Sequence, residues 1–317
     1  MQISASSIYA PFVRDLLSRP GLAAYPDKPD RVAAFIDATR QSTDRMQSLA
    51  RLQVPVRIRR WLQYHYRIQE QGFSAFLLQV LFAYRHNTEV RTTLAAVYRL
   101  AKHGWYGDAL FLLKGLDIDQ RDALQAYLYT QLPEPRPGLR FFESHRWYFH
   151  ATVPFCLLPA YVRRGLYPAH LLDQVRVQMD GSPLPPYLVL AVVREESRFD
   201  GTILSSAGAI GLMQLLPDLK SLYGLPAATD LRTEAVNLAV GIRHLSGFYD
   251  RLKHYSLALA AYNGGEKRMR LLRTLHGSPL DYLLVSNAVW FRETRRYVRK
   301  VMASFLRYQW VYHQSER

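Results

Sequence analysis

The stretch "PPYLVLAVVREESRFDG", residues 185–201, decides how the rest of the chain is read. A proline in the first helical turn loses no intrahelical hydrogen bond, so Pro185 and Pro186 mark a helix start. The run through Val193 is apolar on nearly every face, and a helix of that kind is buried. Two adjacent acids, Glu195 and Glu196, close it. Burial disfavours the charged form of a carboxyl and raises its pKa. An acid kept protonated near neutral pH can donate its proton to a leaving oxygen. Spacing does not choose between the two acids. Glu196 shares a face with Val193, Val192 and Val189, and Glu195 follows Ala191 and Leu188 in the same way. The plain alternative for either is a glutamate at a helix end, ion-paired to Arg194 or Arg198.

Outward from this stretch, helical spacing dominates and two-residue alternation never persists. Leu94, Val97, Tyr98 and Ala101 mark one helix, and "ALFLLKGL" after "HGWYGD" starts a second, which predicts a helical hairpin over 92–116. Leu238, Ile242, Leu245, Tyr249 and Leu252 line one face of another helix. Val298, Val301, Met302, Phe305 and Tyr312 line one near the end. The fold class expected is all-α. "QLPEPRPGLRFF", 131–142, and "MDGSPLPP", 179–186, read as breaks, because prolines and glycine cannot continue a helix. The division expected is a helical accessory, superhelix-like domain over 1–135, a helical linking segment over 136–165 and a chemical domain over 166–317.

Composition narrows the classes. The 317 residues suffice for two ordinary domains, and 49% hydrophobic with 21% charged residues reads as globular. No apolar stretch approaches the ~20 residues that span a bilayer. The opening "MQISASSIYAPFVRDLL" has no basic start followed by an apolar block, so no secretory signal is read in it. The single cysteine, Cys156, has no disulfide partner and is expected as a buried thiol. A net charge of +15 suits acidic polymers or surfaces: nucleic acid, anionic lipid or a carboxylate-bearing cell wall. The charges are dispersed and no nucleic-acid motif accompanies them, so no nucleic-acid partner is expected. The histidines show no paired i, i+4 spacing and no glycine-rich phosphate cradle follows a strand, so neither a metal nor a cofactor is expected.

Three downstream segments accompany the acids. "SSAGAIGLMQLLP", 205–217, has glycines for a close backbone turn and places Gln214, with donors and acceptors, beside Met213. "ALAAYNGG", 258–265, ends an apolar helix on Tyr262 and Asn263, a ring and an amide suited to a sugar. "WFRETRRYV", 290–298, sets Glu293 ahead of an amphipathic helix.

In this order, "EESRFDGTILSSAGAIGLMQLLP", "NLAVGIRHL", "ALAAYNGG" and "RETRRYV" resemble the catalytic domain of the soluble lytic transglycosylases, lysozyme-like enzymes of bacterial cell walls, over roughly 166–317. The resemblance implies that Glu196, which precedes Ser197, is the catalytic acid, and that Glu195 is structural, facing about 100° away on the helix. It implies cleavage of the β-1,4 bond between N-acetylmuramic acid and N-acetylglucosamine in peptidoglycan. One glutamate acts as acid and then base and yields a 1,6-anhydro sugar. It implies substrate-facing roles for Ser205, Met213, Gln214, Tyr262, Asn263 and Glu293, a periplasmic or envelope setting, and cell-wall or envelope proteins as partners of the N-terminal helices. The chain departs from the family at "AYNGGEKRM", where Glu266 and Lys267 replace a proline and a glycine, and at "RFDG", where an aromatic-proline stretch is usual. These changes leave substrate preference open. Two other readings stand beside this one: hydrolysis of the same bond by a lysozyme-type muramidase, and a non-catalytic wall-binding protein.

Overall fold

The computed structural model describes residues 56–145, 155, 158–267, 269 and 292–312. Cys156, the first 55 residues of the expected accessory region, and parts of 146–157 lie outside the described residues. Among those described, every regular element is a helix, as the spacing predicts, and the only β pairing is two isolated bridges. The described residues group into two compact units, 56–168 and 169–312.

In the first unit, helices α1 (Val56–Gln71), α2 (Phe73–Ala83), α3 (Thr88–Lys102), α4 (Tyr106–Lys114), α5 (Arg121–Thr130), α6 (Arg136–Ser144) and α7 (Ala160–Leu166) follow one another, each packed on the next. Their inward faces meet in a core that includes Phe76, Leu77, Leu94, Leu113 and Leu124. The hairpin predicted over 92–116 is α3 and α4. Asn87 starts α3 by accepting the Val90 amide on its side chain, which satisfies one of the free donors of a helix start. The break expected over 131–142 is shorter than the sequence suggests, because α6 begins at Arg136 with Pro137 in its first turn. There the missing N–H costs nothing, which is why proline does not prevent this helix. Gly165 of α7 packs flat against the Phe142 ring, where any side chain would collide.

The second unit contains α8 (Leu172–Gln178), α9 (Pro186–Ser197), α10 (Leu219–Leu222), α11 (Glu234–Leu252), α12 (Tyr255–Gly264) and α13 (Arg292–Tyr312). Helix α9 is the buried rod that the opening stretch predicts: every side chain from Tyr187 to Arg194 is buried. Each fully buried Leu or Val contributes about 1.5–3 kcal/mol. It packs on α8 and α13; α13 also meets α12, and α12 meets α11. Leu238, Ile242, Leu245 and Leu252 of α11 are buried, as are Val298, Val301, Met302 and Phe305 of α13. Tyr249 and Tyr312 are half-buried, and the Tyr312 ring stacks on Tyr187 and Tyr308.

Helix α9 ends abruptly. Arg198 and Phe199 both take the left-handed conformation, at φ 51° and 65°. Such residues carry strain that the surrounding structure must hold in place. Here the Phe199 ring is buried and lies 4.9 Å from His170, which anchors the turn. Glu196 thus stands on the last turn of a rigid helix, just before the chain reverses.

Candidate active site

The two glutamates meet different surroundings. Glu195 accepts from Arg194 Nη1 at 2.6 Å and from Ser304 Oγ of α13 at 2.6 Å. Burial alone would raise its pKa, but the Arg194 guanidinium, the Ser304 hydroxyl and the Lys300 charge together hold it below the usual carboxylate range. Glu196 has no cation among the groups that shift it. Burial pushes its pKa up to about 7 and the neighbouring Glu195 charge pushes the same way; the Tyr297 hydroxyl opposes them. That hydroxyl is fully enclosed and close to the carboxyl, yet it forms no hydrogen bond of ordinary geometry among the described residues. Near neutral pH Glu196 therefore divides between acid and conjugate base, the condition an acid needs if it is to give up a proton and later take one back.

The neighbouring loop, 203–215, is folded by its own backbone. Bridges pair Leu204 with Ile210 and Ile210 with Leu215. Gly211 sits at φ 77°, and a Cβ there would fall 2.4 Å from Asn237 Nδ2, so the loop needs glycine at this point. Asn237, fully buried on α11, fastens the loop. Its side chain accepts the Met213 amide at 2.8 Å and donates to the carbonyls of Ile210 and Leu231 at 2.9 and 2.6 Å. Gly241 of α11 makes room for the Met213 side chain, since a Cβ there would lie 2.4 Å from its sulfur.

On this scaffold the structure brings some of the expected residues together. Tyr262, on α12, donates to the Met213 carbonyl at 2.7 Å. Its pKa is raised well above the ordinary value, first by burial and then by the Glu196 charge, so it remains a neutral donor beside the acid. Met213 itself is wholly buried, and the loop offers its carbonyl rather than its thioether. Gln214 sits at φ 50°, in a conformation other than glycine rarely adopts, and donates to the Gly211 carbonyl at 3.0 Å. Among the described residues, the remaining expected ones make no hydrogen bond to this group. Ser205 closes its own turn, accepting the Ala209 amide at 2.9 Å. Asn263 and Glu293 are exposed, on the last turn of α12 and the first turn of α13. Asp200 accepts from the Thr202 amide and hydroxyl at 3.0 and 2.7 Å.

The sequence reading missed Tyr297 and Asn237. Tyr297 stands one turn after Glu293, at i+4 in the same quoted segment, and its spacing pointed to it. A polar asparagine at the head of the apolar run "NLAVGI" was the signal for the second. Among the described residues no group of three or more His, Cys, Asp or Glu side chains is arranged to hold a metal ion.

The second unit sets the half-buried Glu196 carboxyl, its pKa raised to about 7, beside a tyrosine and a glycine-turned loop, and residues 174–279 match the Transglycosylase SLT domain. The resemblance to soluble lytic transglycosylases read from the motifs therefore stands. Among particular proteins, the chain is 27% identical over 145 residues to the soluble lytic murein transglycosylase of Escherichia coli K12, covering 43% of this chain and 22% of that protein. It is 35% identical over 129 residues to a putative soluble lytic murein transglycosylase of Haemophilus influenzae, covering 38% and 21%. The crystal structure of the 70 kDa soluble lytic transglycosylase of Escherichia coli superposes with a TM-score of 0.53 at 18% identity, over 91% of this chain and 55% of that one. The matched segment thus spans about a fifth of the curated relatives' length.

Proposed function

We propose that the protein cleaves the β-1,4 linkage between N-acetylmuramic acid and N-acetylglucosamine in peptidoglycan, forming a 1,6-anhydro end. The observation that carries this reading is the placing of Glu196: it ends the buried helix α9 with no ion pair among the described residues, beside the Tyr297 and Tyr262 hydroxyls, and burial pushes its pKa up to about 7. Protonated Glu196 transfers its proton to the glycosidic oxygen as the bond to C1 breaks. Positive charge develops at C1, and the substrate's acetamido oxygen relieves it. The carboxylate now on Glu196 takes the proton of the C6 hydroxyl, whose oxygen closes on C1. The carboxyl ends protonated again, so one side chain serves both steps. Ordinary glycosidases divide that work between two carboxyls about 5–9.5 Å apart. Asp200, engaged with Thr202, supports the single-acid route.

In this reading the Met213 carbonyl fixes the Tyr262 hydroxyl, and Ser205, Met213, Gln214, Tyr262, Asn263 and Glu293 contribute to binding the glycan. The substrate places the protein in the periplasm or cell envelope. No helix of the described residues is long and apolar enough to cross a membrane. The region 1–135, with the segment 136–165, is proposed as an accessory region that meets cell-wall or envelope proteins, and 166–317 as the catalytic domain.

The test is digestion of purified peptidoglycan by the wild type and by Glu196→Gln, with the released fragments weighed by mass spectrometry. Anhydro ends that vanish with the variant are the expected result. Reducing ends would assign hydrolysis of the same bond instead. Equal release by both proteins would overturn the role of Glu196.

A further inference from the structure

A cluster of rings and charges behind Tyr262 has no part in the proposed chemistry. His244, on α11, is half-buried. Its ring centroid lies 5.7 Å from that of Tyr262 and 4.6 Å from that of Phe248. Its Nδ1 shares a hydrogen bond of 2.9 Å with the Tyr223 hydroxyl, and the two rings meet edge to face at 5.9 Å. The Arg243 guanidinium lies over the outer face of Tyr223, 4.7 Å from its centroid. Arg251 lies over Phe248 at 5.2 Å and pairs with Glu266 at 2.6 Å. The half-buried His244 ring thus lies among Tyr223, Phe248 and Tyr262, with guanidiniums over the first two, while Tyr262 reaches to the Met213 carbonyl.

We propose that His244 is a positioning residue for the reaction: its neutral ring, tied to Tyr223 and wedged against Tyr262, holds the Tyr262 hydroxyl in place beside Glu196, and protonation of the ring loosens that hold. The inference rests on the function proposed above. Three physical points support it. An imidazolium donates from both ring nitrogens, so the Tyr223 hydroxyl can no longer donate to Nδ1, and the Arg251 charge repels the charged ring. Burial first, and the Arg251 charge second, disfavour the imidazolium; Glu266 partly offsets them. Among the described residues, the titratable and charged groups around the ring are Tyr223, Tyr262, Arg243, Arg251 and Glu266, so Glu266 is the only acid there, and it is already paired with Arg251. The ring is therefore neutral at neutral pH and charges only in acid. Glu196 limits activity on the alkaline side, where it loses its proton, and His244 limits it on the acid side.

The test measures kcat and KM for muropeptide release between pH 4 and 8 for the wild type and His244→Phe, which keeps a ring in the space. The wild type is expected to show a single acid step, a fall of about three- to tenfold below one midpoint that then levels off, because a charged ring forfeits no more than the orientation it supplied. His244→Phe is expected to lose that step, to have a kcat at pH 7 about three- to tenfold lower, the size of a lost orienting hydrogen bond, and to keep its KM. A readout independent of turnover uses 3-fluorotyrosine at 262 and 13C-labelled histidine. The Tyr262 fluorine signal should move at the pH where the His244 carbon signal titrates, and should stop moving in His244→Phe. An acid step that survives in His244→Phe, or a Tyr262 signal indifferent to His244 titration, would overturn the inference. Absence of muropeptide release by the wild type at every pH would instead refute the glycan-cleaving reading, and the fluorine titration would still decide whether His244 governs Tyr262.

Discussion

One face of the last turn of α9 carries Glu195, bonded to Arg194 and to Ser304 of α13. The other carries Glu196, beside Tyr262 and Tyr297. The same residue type, one position apart on one helix, is held charged on the first face and protonated towards pH 7 on the second. Burial acts on both. What differs is the company: a guanidinium and a donor hydroxyl against aromatic hydroxyls and no cation. Loss of water alone does not set the state of a buried acid; the groups that replace the water do.

The most severe way to break this comparison is to remove the acids in turn. Glu196→Gln is expected to lower muropeptide release by roughly 10³-fold, within the range attributed to a positioned general acid. Glu195→Gln, which keeps the side chain's shape, should keep release within about tenfold of wild type. Equal losses in both variants, measured under the same conditions with both proteins folded, would mean that the two faces are not distinct in function.

Stability should respond in the opposite pattern. Glu195→Ala leaves Arg194 and Ser304 without their carboxylate, and breaking such a buried pair costs about 3 kcal/mol. Urea unfolding at pH 7 measures it. Because the Glu195 pKa is lowered in the folded state, its contribution is present above the unfolded value of 4.5 and fades as pH falls through the folded value. The destabilisation in Glu195→Ala should therefore shrink in acid.

Glu196 reverses that sign. The folded carboxyl holds its proton up to about 7, whereas the unfolded one releases it near 4.5. Between those values the folded state binds more protons, so stability falls as pH rises through the window. Glutamine does not titrate. Glu196→Gln should accordingly gain on the wild type between pH 4.5 and pH 8, by about 2 kcal/mol after allowing for the partial exposure of the carboxyl. Thermal or urea unfolding of both proteins across that range checks it. A constant difference would mean that Glu196 is not held protonated.

Much of this was legible in the chain. The apolar run 185–193 announced a buried helix, and the faces of α11 and α13 followed from spacing. The choice between Glu195 and Glu196 was not legible from periodicity, because both follow apolar residues; it depended on Ser304, 109 positions away. Asn237 was missed for the same reason: its three bonds run to residues 6 to 27 positions distant. Within "RETRRYV" the motif displays Glu293, which is exposed at the start of α13; Tyr297, one turn on, is buried and interacts with Glu196, and the motif did not single it out. Local pattern reveals which face of a helix is buried. It does not reveal what lies opposite, and that decides the chemistry here.

The smallest expected effect gives the finest separation of the two faces. Ser304→Ala removes one hydrogen bond to a charged group, and such a bond contributes about 1.5 kcal/mol. Ser304 is buried, so water does not simply take the place of its hydroxyl. The Glu195 carboxyl should then titrate at a higher pH than in the wild type, read from carboxyl 13C shifts, while staying paired with Arg194. Glu196 has no bond to Ser304, and its midpoint should move little. The alkaline limb of activity should likewise remain where it is, because that limb belongs to Glu196. If instead both carboxyls shift together and the limb moves with them, the two acids titrate as one coupled pair, and a proton held on the Glu196 side depends directly on the α13 contact made by its neighbour.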